Sequence, residues 1–158
     1  MSKIEGLNSL LNKLNSLGGN VEKTMYQAVN KMGLFVQGEA KDLCPSNTGD
    51  LRQSIQCNTV QANGKVSSVI STNSDHAPYV EFGTGPKGEH TPVENKYPGE
   101  LAYKQDKWLV NIPDVGWRYI EGQPAQPYLY PALKNNRETV VNNIKEDIKD
   151  AIREVSTK

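Results

Sequence analysis

Two long apolar stripes at helical spacing bracket a middle segment that reads mainly as strands, turns and loop, and this layout points to an α+β fold. The first stripe runs from about Val21 to Leu43. Val21, Met25, Ala28 or Val29, Met32, Phe35 or Val36, and Ala40 or Leu43 share one side of a helix. Asn20 is placed to cap it, and Pro45 ends it by disfavouring helical angles at Cys44. Gly33 and Gly38 each weaken the helix by about 1 kcal/mol relative to Ala. Their small size lets the helix bend or a strand approach it. The last stripe begins at about Pro127 or Tyr128 and continues through Leu129, Leu133, Val140 or Val141, Ile144, Ile148, Ala151 or Ile152, and Val155. About 28 residues at ~1.5 Å each make a rod of roughly 40 Å. That exceeds what a small sheet needs, so its outer end is expected to pack on an N-terminal helix or on another subunit.

Between the stripes, Asn63-Gly64 is the strongest local signal. Both central positions of the favoured two-residue hairpin turn need positive φ, which Asn and Gly adopt readily. Ile55, Thr59 and Val60 before it and Val66, Val69, Ile70 and Thr72 after it predict a β-hairpin over 55–72. The imperfect alternation predicts a bulge or a change of face. Ser46-Asn47-Thr48-Gly49-Asp50 reads as a turn, with Leu51–Ile55 leading straight into the sheet. Ala77-Pro78-Tyr79-Val80-Glu81-Phe82 concentrates aromatics, a β-branched residue and one carboxylate. It is expected to form one helical turn or a distorted strand end with one buried side, left by a Gly83-Thr84-Gly85 hinge. From Gly83 to about Lys107 charges, prolines and glycines predominate, which predicts a long polar loop. Trp108–Ile112 and Trp117–Ile120 read as paired strands around Pro113-Asp114-Val115-Gly116. The expected fold is a twisted, mainly antiparallel sheet of about four strands, packed by the long helix of the N-terminal half and the long C-terminal helix.

The 158 residues are expected to form a single domain over 1–158. Residues 1–19 make a helical arm, with Ile4, Leu7, Leu10 or Leu11, Leu14 and Leu17 on one face, stopped by Gly18-Gly19. Counted with Gly in place of Tyr, roughly 40% of the chain is apolar against the usual ~45–50%, so the core is modest for the surface it must cover. Lys+Arg and Asp+Glu each number 18, so no global field favours nucleic acid or an anionic membrane. Cys44 and Cys57 are too few for a disulfide framework and are read as reduced thiols. No apolar leader follows Met1 and no stretch approaches a membrane span. These features predict a soluble protein made inside the cell.

Candidates for chemistry are sparse. Asp75, His76, Glu81, Glu89 and His90 match no ligand motif, and both histidines flank flexible segments, where solvated surface is expected rather than a metal or hydrolytic site. Cys44 as a nucleophile would need a base and an oxyanion donor around it; a small apolar filler is the expected role. Gly83-Thr84-Gly85-Pro86-Lys87-Gly88 lacks the strand, helix and Lys-Ser/Thr ending of a phosphate loop. Trp108, Trp117, Tyr119, Tyr128 and Tyr130 could stack bases, but without a basic groove packing is the expected role. No catalytic, cofactor-binding or metal residue is assigned.

Three stretches together carry a resemblance. Cys44-Pro45 with Thr48-Gly49-Asp50-Leu51-Arg52-Gln53-Ser54-Ile55 resembles a Pro-x-x-Thr-Gly-x-Leu-x-x-Ser-Ile block. Pro78-Tyr79-Val80-Glu81-Phe82-Gly83-Thr84 is similar to a Val/Ile-Glu-Phe/Tyr-Gly-Thr centre. Gln126-Pro127-Tyr128-Leu129-Tyr130-Pro131-Ala132-Leu133 is similar to a Gln-Pro-Phe/Tyr-Leu-x-Pro-Ala start of a last helix. The family so marked is the tail-completion, or head–tail joining, proteins of long-tailed bacteriophages. This sequence departs from it in the long insert at about 84–107, within a family domain spanning 20–158. The resemblance implies an α+β subunit, its sheet against the second and last helices, and a non-enzymatic ring, commonly of six copies, at the neck. Its partners would be itself, portal-associated connector proteins and tail tube or tail terminator proteins, with DNA only passing through the lumen, no membrane and no cofactor. It would be made in the host bacterial cytoplasm and end in the virion. Thr48, Gly49, Leu51, Arg52, Tyr79, Glu81, Phe82, Gly83, Thr84, Gln126, Pro127 and Tyr128 are the interface or fold-defining residues it implies. Glu81 is further expected to pair with Arg52. Rival readings are a tail terminator, a small metal-dependent hydrolase using His76, Glu81 and His90, and a nucleic-acid-binding module.

Overall fold

The computed structural model of the chain describes residues 20–45, 49–92 and 97–156. The elements in order are α1 (Asn20–Leu43), α2 (Asp50–Ser54), β1 (Gln56–Ala62), β2 (Lys65–Ser71), α3 (Ala77–Phe82), α4 (Gly85–Glu89), β3 (Trp108–Ile112), β4 (Gly116–Ile120) and α5 (Leu129–Ser156). The fold is α+β, as expected. Among the described residues four strands form two separate two-stranded sheets, β1-β2 and β3-β4, where one sheet was expected. The expected arm over 1–19 lies outside the described residues.

The chain divides into two compact units, to both of which α1 and α5 contribute. Residues 20–35, 57–69 and 137–156 make the first. On α1 the buried residues there are Met25, Ala28 and Met32, so of the alternatives Ala28 faces inward. Met25 and Ile148 form a buried cluster against which Val66, Ile144 and Ile152 pack, so the β1-β2 hairpin lies on both long helices as the resemblance implied. Asn63 and Gly64 at its turn have φ of 52° and 70°, the signs that a two-residue turn of this kind requires.

Gly33 is why hairpin and helix come so close. A Cβ there would stand 2.6 Å from Ser68 Cβ and 2.7 Å from Cys57 Sγ. The contact is polar as well as tight. Ser68 Oγ donates to the Val29 carbonyl at 3.1 Å and Thr59 Oγ1 donates to Asn30 Oδ1 at 2.9 Å. Burial alternates without a break along β2, so the change of face expected there does not occur and Val69 lies on the exposed side. Lys31 and Asp147 bridge the two helices at 3.0 Å, an exposed pair that adds little.

The second unit comprises residues 36–56 and 70–136. Its buried side chains include Val36, Ala40, Cys44, Ile55, Ala77, Ala125, Tyr128, Pro131 and Ala132, with Glu81 among them. Ala132 faces inward and Leu133, expected in the stripe, is exposed; Phe35 and Leu43 are likewise on the outer side of α1. Two further expectations are corrected here. Residues 50–54 form a short helix before the strand, and the chain after Gly83 enters a second short helix, Gly85–Glu89, before the loop begins.

Gly33 and Gly38 sit five residues apart on one helix, yet only Gly33 is crowded; a Cβ on Gly38 meets nothing within 4 Å. Gly33→Ala is therefore expected to destabilise the protein by about 1–3 kcal/mol through overpacking. Gly38→Ala should stabilise it by about 0.5–1 kcal/mol through helix propensity. Urea midpoints of the two variants against the parent check both signs.

Candidate functional site: a buried carboxylate at the head of the last helix

α3 begins with Pro at its first turn and ends at Gly83, whose φ of 74° and ψ of −178° turn the chain out of the helix. This single turn presents Glu81 inward, where only 4% of its surface is accessible. Glu81 Oε2 accepts the backbone N–H of Tyr128 at 2.8 Å and of Leu129 at 2.9 Å, and Oε1 accepts that of Tyr130 at 2.9 Å. The first N–H groups of a helix have no partner within it and carry its positive dipole end. An ionised carboxylate supplies both the acceptors and the charge they lack. Glu81 is thus the cap of α5, contributed from 47 residues earlier in the chain.

The two segments around this cap are bonded along their length. Thr84 N–H donates to the Gln123 carbonyl at 2.9 Å, and Gln123 N–H returns a bond to the Thr84 carbonyl at 3.1 Å. Gln126 N–H donates to the Val80 carbonyl at 2.8 Å, and Gln123 Nε2 to the Tyr79 carbonyl at 2.7 Å. Glycines make the approach possible. A Cβ on Gly83 would sit 2.6 Å from the Ala125 nitrogen, and one on Gly122 (φ 89°) would overlap the Thr84 carbonyl. Gly83 and Gly85 are thus sites of backbone contact as well as of chain reversal.

Residues of the insert complete the joint. Tyr97 stands edge-on between Phe82 and Tyr130, with ring centroids 5.9 and 5.8 Å away. The Tyr103 hydroxyl donates to the Phe82 carbonyl at 2.9 Å, and Thr91 Oγ1 accepts from Ala125 N–H at 3.0 Å. The insert is therefore tied to the anchor at several points. The expectation of a polar excursion hung from a hinge missed Tyr97, Tyr103, Thr91 and Gly122. Two tyrosines in a charged stretch were the available signal.

Thr48 lies outside the described residues. Gly49 adopts φ 84° as the residue before α2, and Leu51 gives its carbonyl to Ser54 Oγ. Arg52 does not pair with Glu81: its guanidinium bonds Asp42 Oδ1 at 2.9 Å. Both Glu81 oxygens are already committed to backbone donors, which leaves Arg52 to find its acid on α1. Tyr79, Glu81, Phe82, Gly83, Thr84, Gln126, Pro127 and Tyr128 come together at the joint; Gly49, Leu51 and Arg52 form a separate turn. Cys44 feels both. Burial, then the Glu81 charge, push its thiol up in pKa, partly opposed by Arg52.

Tyr128 is fully buried, and its hydroxyl has no partner among the described residues. Desolvation first, then Cys44 and Glu81, raise its pKa. The residues of the hydrolase reading are dispersed or engaged: His90 Nδ1 contacts the Pro86 carbonyl at 2.8 Å, and Glu81 caps α5. Among the described residues no group of three or more His, Cys, Asp or Glu could hold a metal ion.

Residues 8–83 match the model of the HK97-gp10-like family, described as "Bacteriophage HK97-gp10, putative tail-component". Over that stretch, just under half of its length, the chain is similar to the HK97-gp10-like family. The match takes in α1, α2, the β1-β2 hairpin and α3, and it ends at Gly83, inside the joint. That family is described as a phage tail component, a description that implies a place in the virion. No curated protein and no solved structure matches it significantly. No helix among the described residues is long and apolar enough to cross a membrane.

Losing the Glu81 carboxylate strands three N–H groups at the start of α5. Glu81→Ala is expected to cost about 3–5 kcal/mol and Glu81→Gln, which keeps one acceptor oxygen, about 2 kcal/mol. Denaturant midpoints monitored by helix signal measure both. Cys44 should resist thiol labelling at mildly alkaline pH until the protein unfolds, because burial both shields it and keeps it protonated. Labelling followed by peptide mapping, with and without urea, reads this directly.

Proposed function

We propose that this HK97-gp10-like chain is a non-catalytic structural subunit that forms a ring, commonly of six copies, where the phage tail meets the head. In that position it completes the tail and docks it to connector proteins at the portal vertex. The observation that carries the reading is the family match over residues 8–83. The joint supports it physically. Glu81, the buried carboxylate best placed for acid–base work, is consumed in holding α5, and the nearby polar groups serve backbone contacts. What the joint produces within the second unit is a braced scaffold with apolar side chains left outside, among them Leu133, Trp117 and Tyr119. A subunit with surplus apolar surface suits assembly, since heterologous contacts close into a ring when their rotation fits.

Removing the coding sequence from the phage tests the role. The expected outcome is full heads and tails of normal length that fail to join, seen by electron microscopy and rescued by the supplied protein. Tails of uncontrolled length would instead assign it to tail termination. Stoichiometric metal in the purified protein, lost in His76→Ala, would favour the hydrolase.

A further inference from the structure

The β3-β4 ribbon has one face packed and one face bare. Its register pairs Leu109 with Tyr119 and Asn111 with Trp117, which places these four side chains on the same side. The opposite side carries Trp108, Val110, Ile112 and Ile120, all half-buried, with the exposed Arg118 across from Val110. An antiparallel ribbon with a solvent face ordinarily shows polar residues there. Here Tyr119 is 72% exposed, Trp117 62%, Leu109 47% and Val115 at the turn 52%.

We propose that this bare face, Leu109, Trp117 and Tyr119 with Val115, is where a second copy of the chain seats in the assembly; this rests on the ring reading above and names its contact surface. The exposed side chains offer on the order of 400 Å² of apolar area. A stable interface needs about 800 Å² on each partner. The patch is thus the size of an interface's dehydrated centre, and a polar rim supplies the rest. Trp and Tyr are the residues that most often dominate such centres.

Charge selects the occupant. None of Leu109, Asn111, Val115, Trp117 and Tyr119 is charged, so the face offers a phosphate backbone no cation to bind. The whole chain is balanced at 18 basic and 18 acidic residues, so two copies meet without net repulsion. The ribbon itself supplies the need. Two strands paired only with each other among the described residues form a marginal sheet unless something covers them.

The test is the solution mass of the purified full chain over a concentration series, alone and with purified tail tubes, for the parent and for the double variant Trp117→Ser, Tyr119→Ser. The parent is expected to assemble, and the variant's midpoint concentration for assembly should rise by about 30-fold or more, with helix signal and melting midpoint unchanged. A second readout guards against a folding artefact. In Trp108→Phe, Trp117 is the sole tryptophan, and its emission should shift to the blue as concentration carries the protein through assembly. An assembling variant with the parent's midpoint, or Trp117 emission that stays that of an exposed indole in the assembled state, overturns the contact and leaves the ring reading standing. A parent that stays a single copy both alone and on tubes overturns the contact and the ring together. A parent that is monomeric but held on tubes through Trp117 and Tyr119 overturns the second copy as occupant in favour of the tube.

Discussion

The structure of the second unit depends on one carboxylate. A 28-residue helix starting inside a folded unit presents several N–H groups that water cannot reach. Glu81 answers three of them with two oxygens and a full negative charge against the helix dipole. Burying a charge is costly unless it is completely satisfied, and here the satisfaction is mutual. That mutual dependence fixes where α3 stands relative to the start of α5. The rest of the joint builds on this position.

Close backbone approach follows from it. With Glu81 holding the head of α5, the chain leaving α3 must run alongside the chain entering α5, and the bonds between Thr84 and Gln123 record that course. Side chains would not fit between them, hence glycine at 83 and 122. Gly33 solves a related problem in the first unit, where hydroxyls of a hairpin reach backbone and side-chain oxygens of a helix. In both places a missing side chain admits a polar contact, consistent with a chain modest in apolar content.

Much of this was legible from residue patterns. Both long helices, the Asn63-Gly64 hairpin and the second pair of strands follow from periodicity and turn chemistry, because those signals act over a few neighbouring residues. Choices within a stripe were not legible. Helical spacing allows Ala132 or Leu133 to face inward, and the partner surface took the smaller residue. Nor was the division into two ribbons visible, since strand partners are chosen across the fold. The Arg52 expectation failed for the same reason: a carboxylate between Val80 and Phe82 does not announce that its partners are N–H groups far along the chain.

The sequence by itself determined the two long helices, the two pairs of strands and the Asn63-Gly64 turn, since backbone propensity and side-chain period are local properties. The short helices at 50–54 and 85–89 were not read from it. The likeness to a phage tail family was likewise readable, from the blocks that fall within residues 8–83. Only the tertiary structure decided that Glu81 is a helix cap, that Tyr97 of the insert stacks at the joint, and that one face of the second ribbon stays bare. Those outcomes depend on which distant groups meet once water is excluded, and no window along the chain contains both members of the pair.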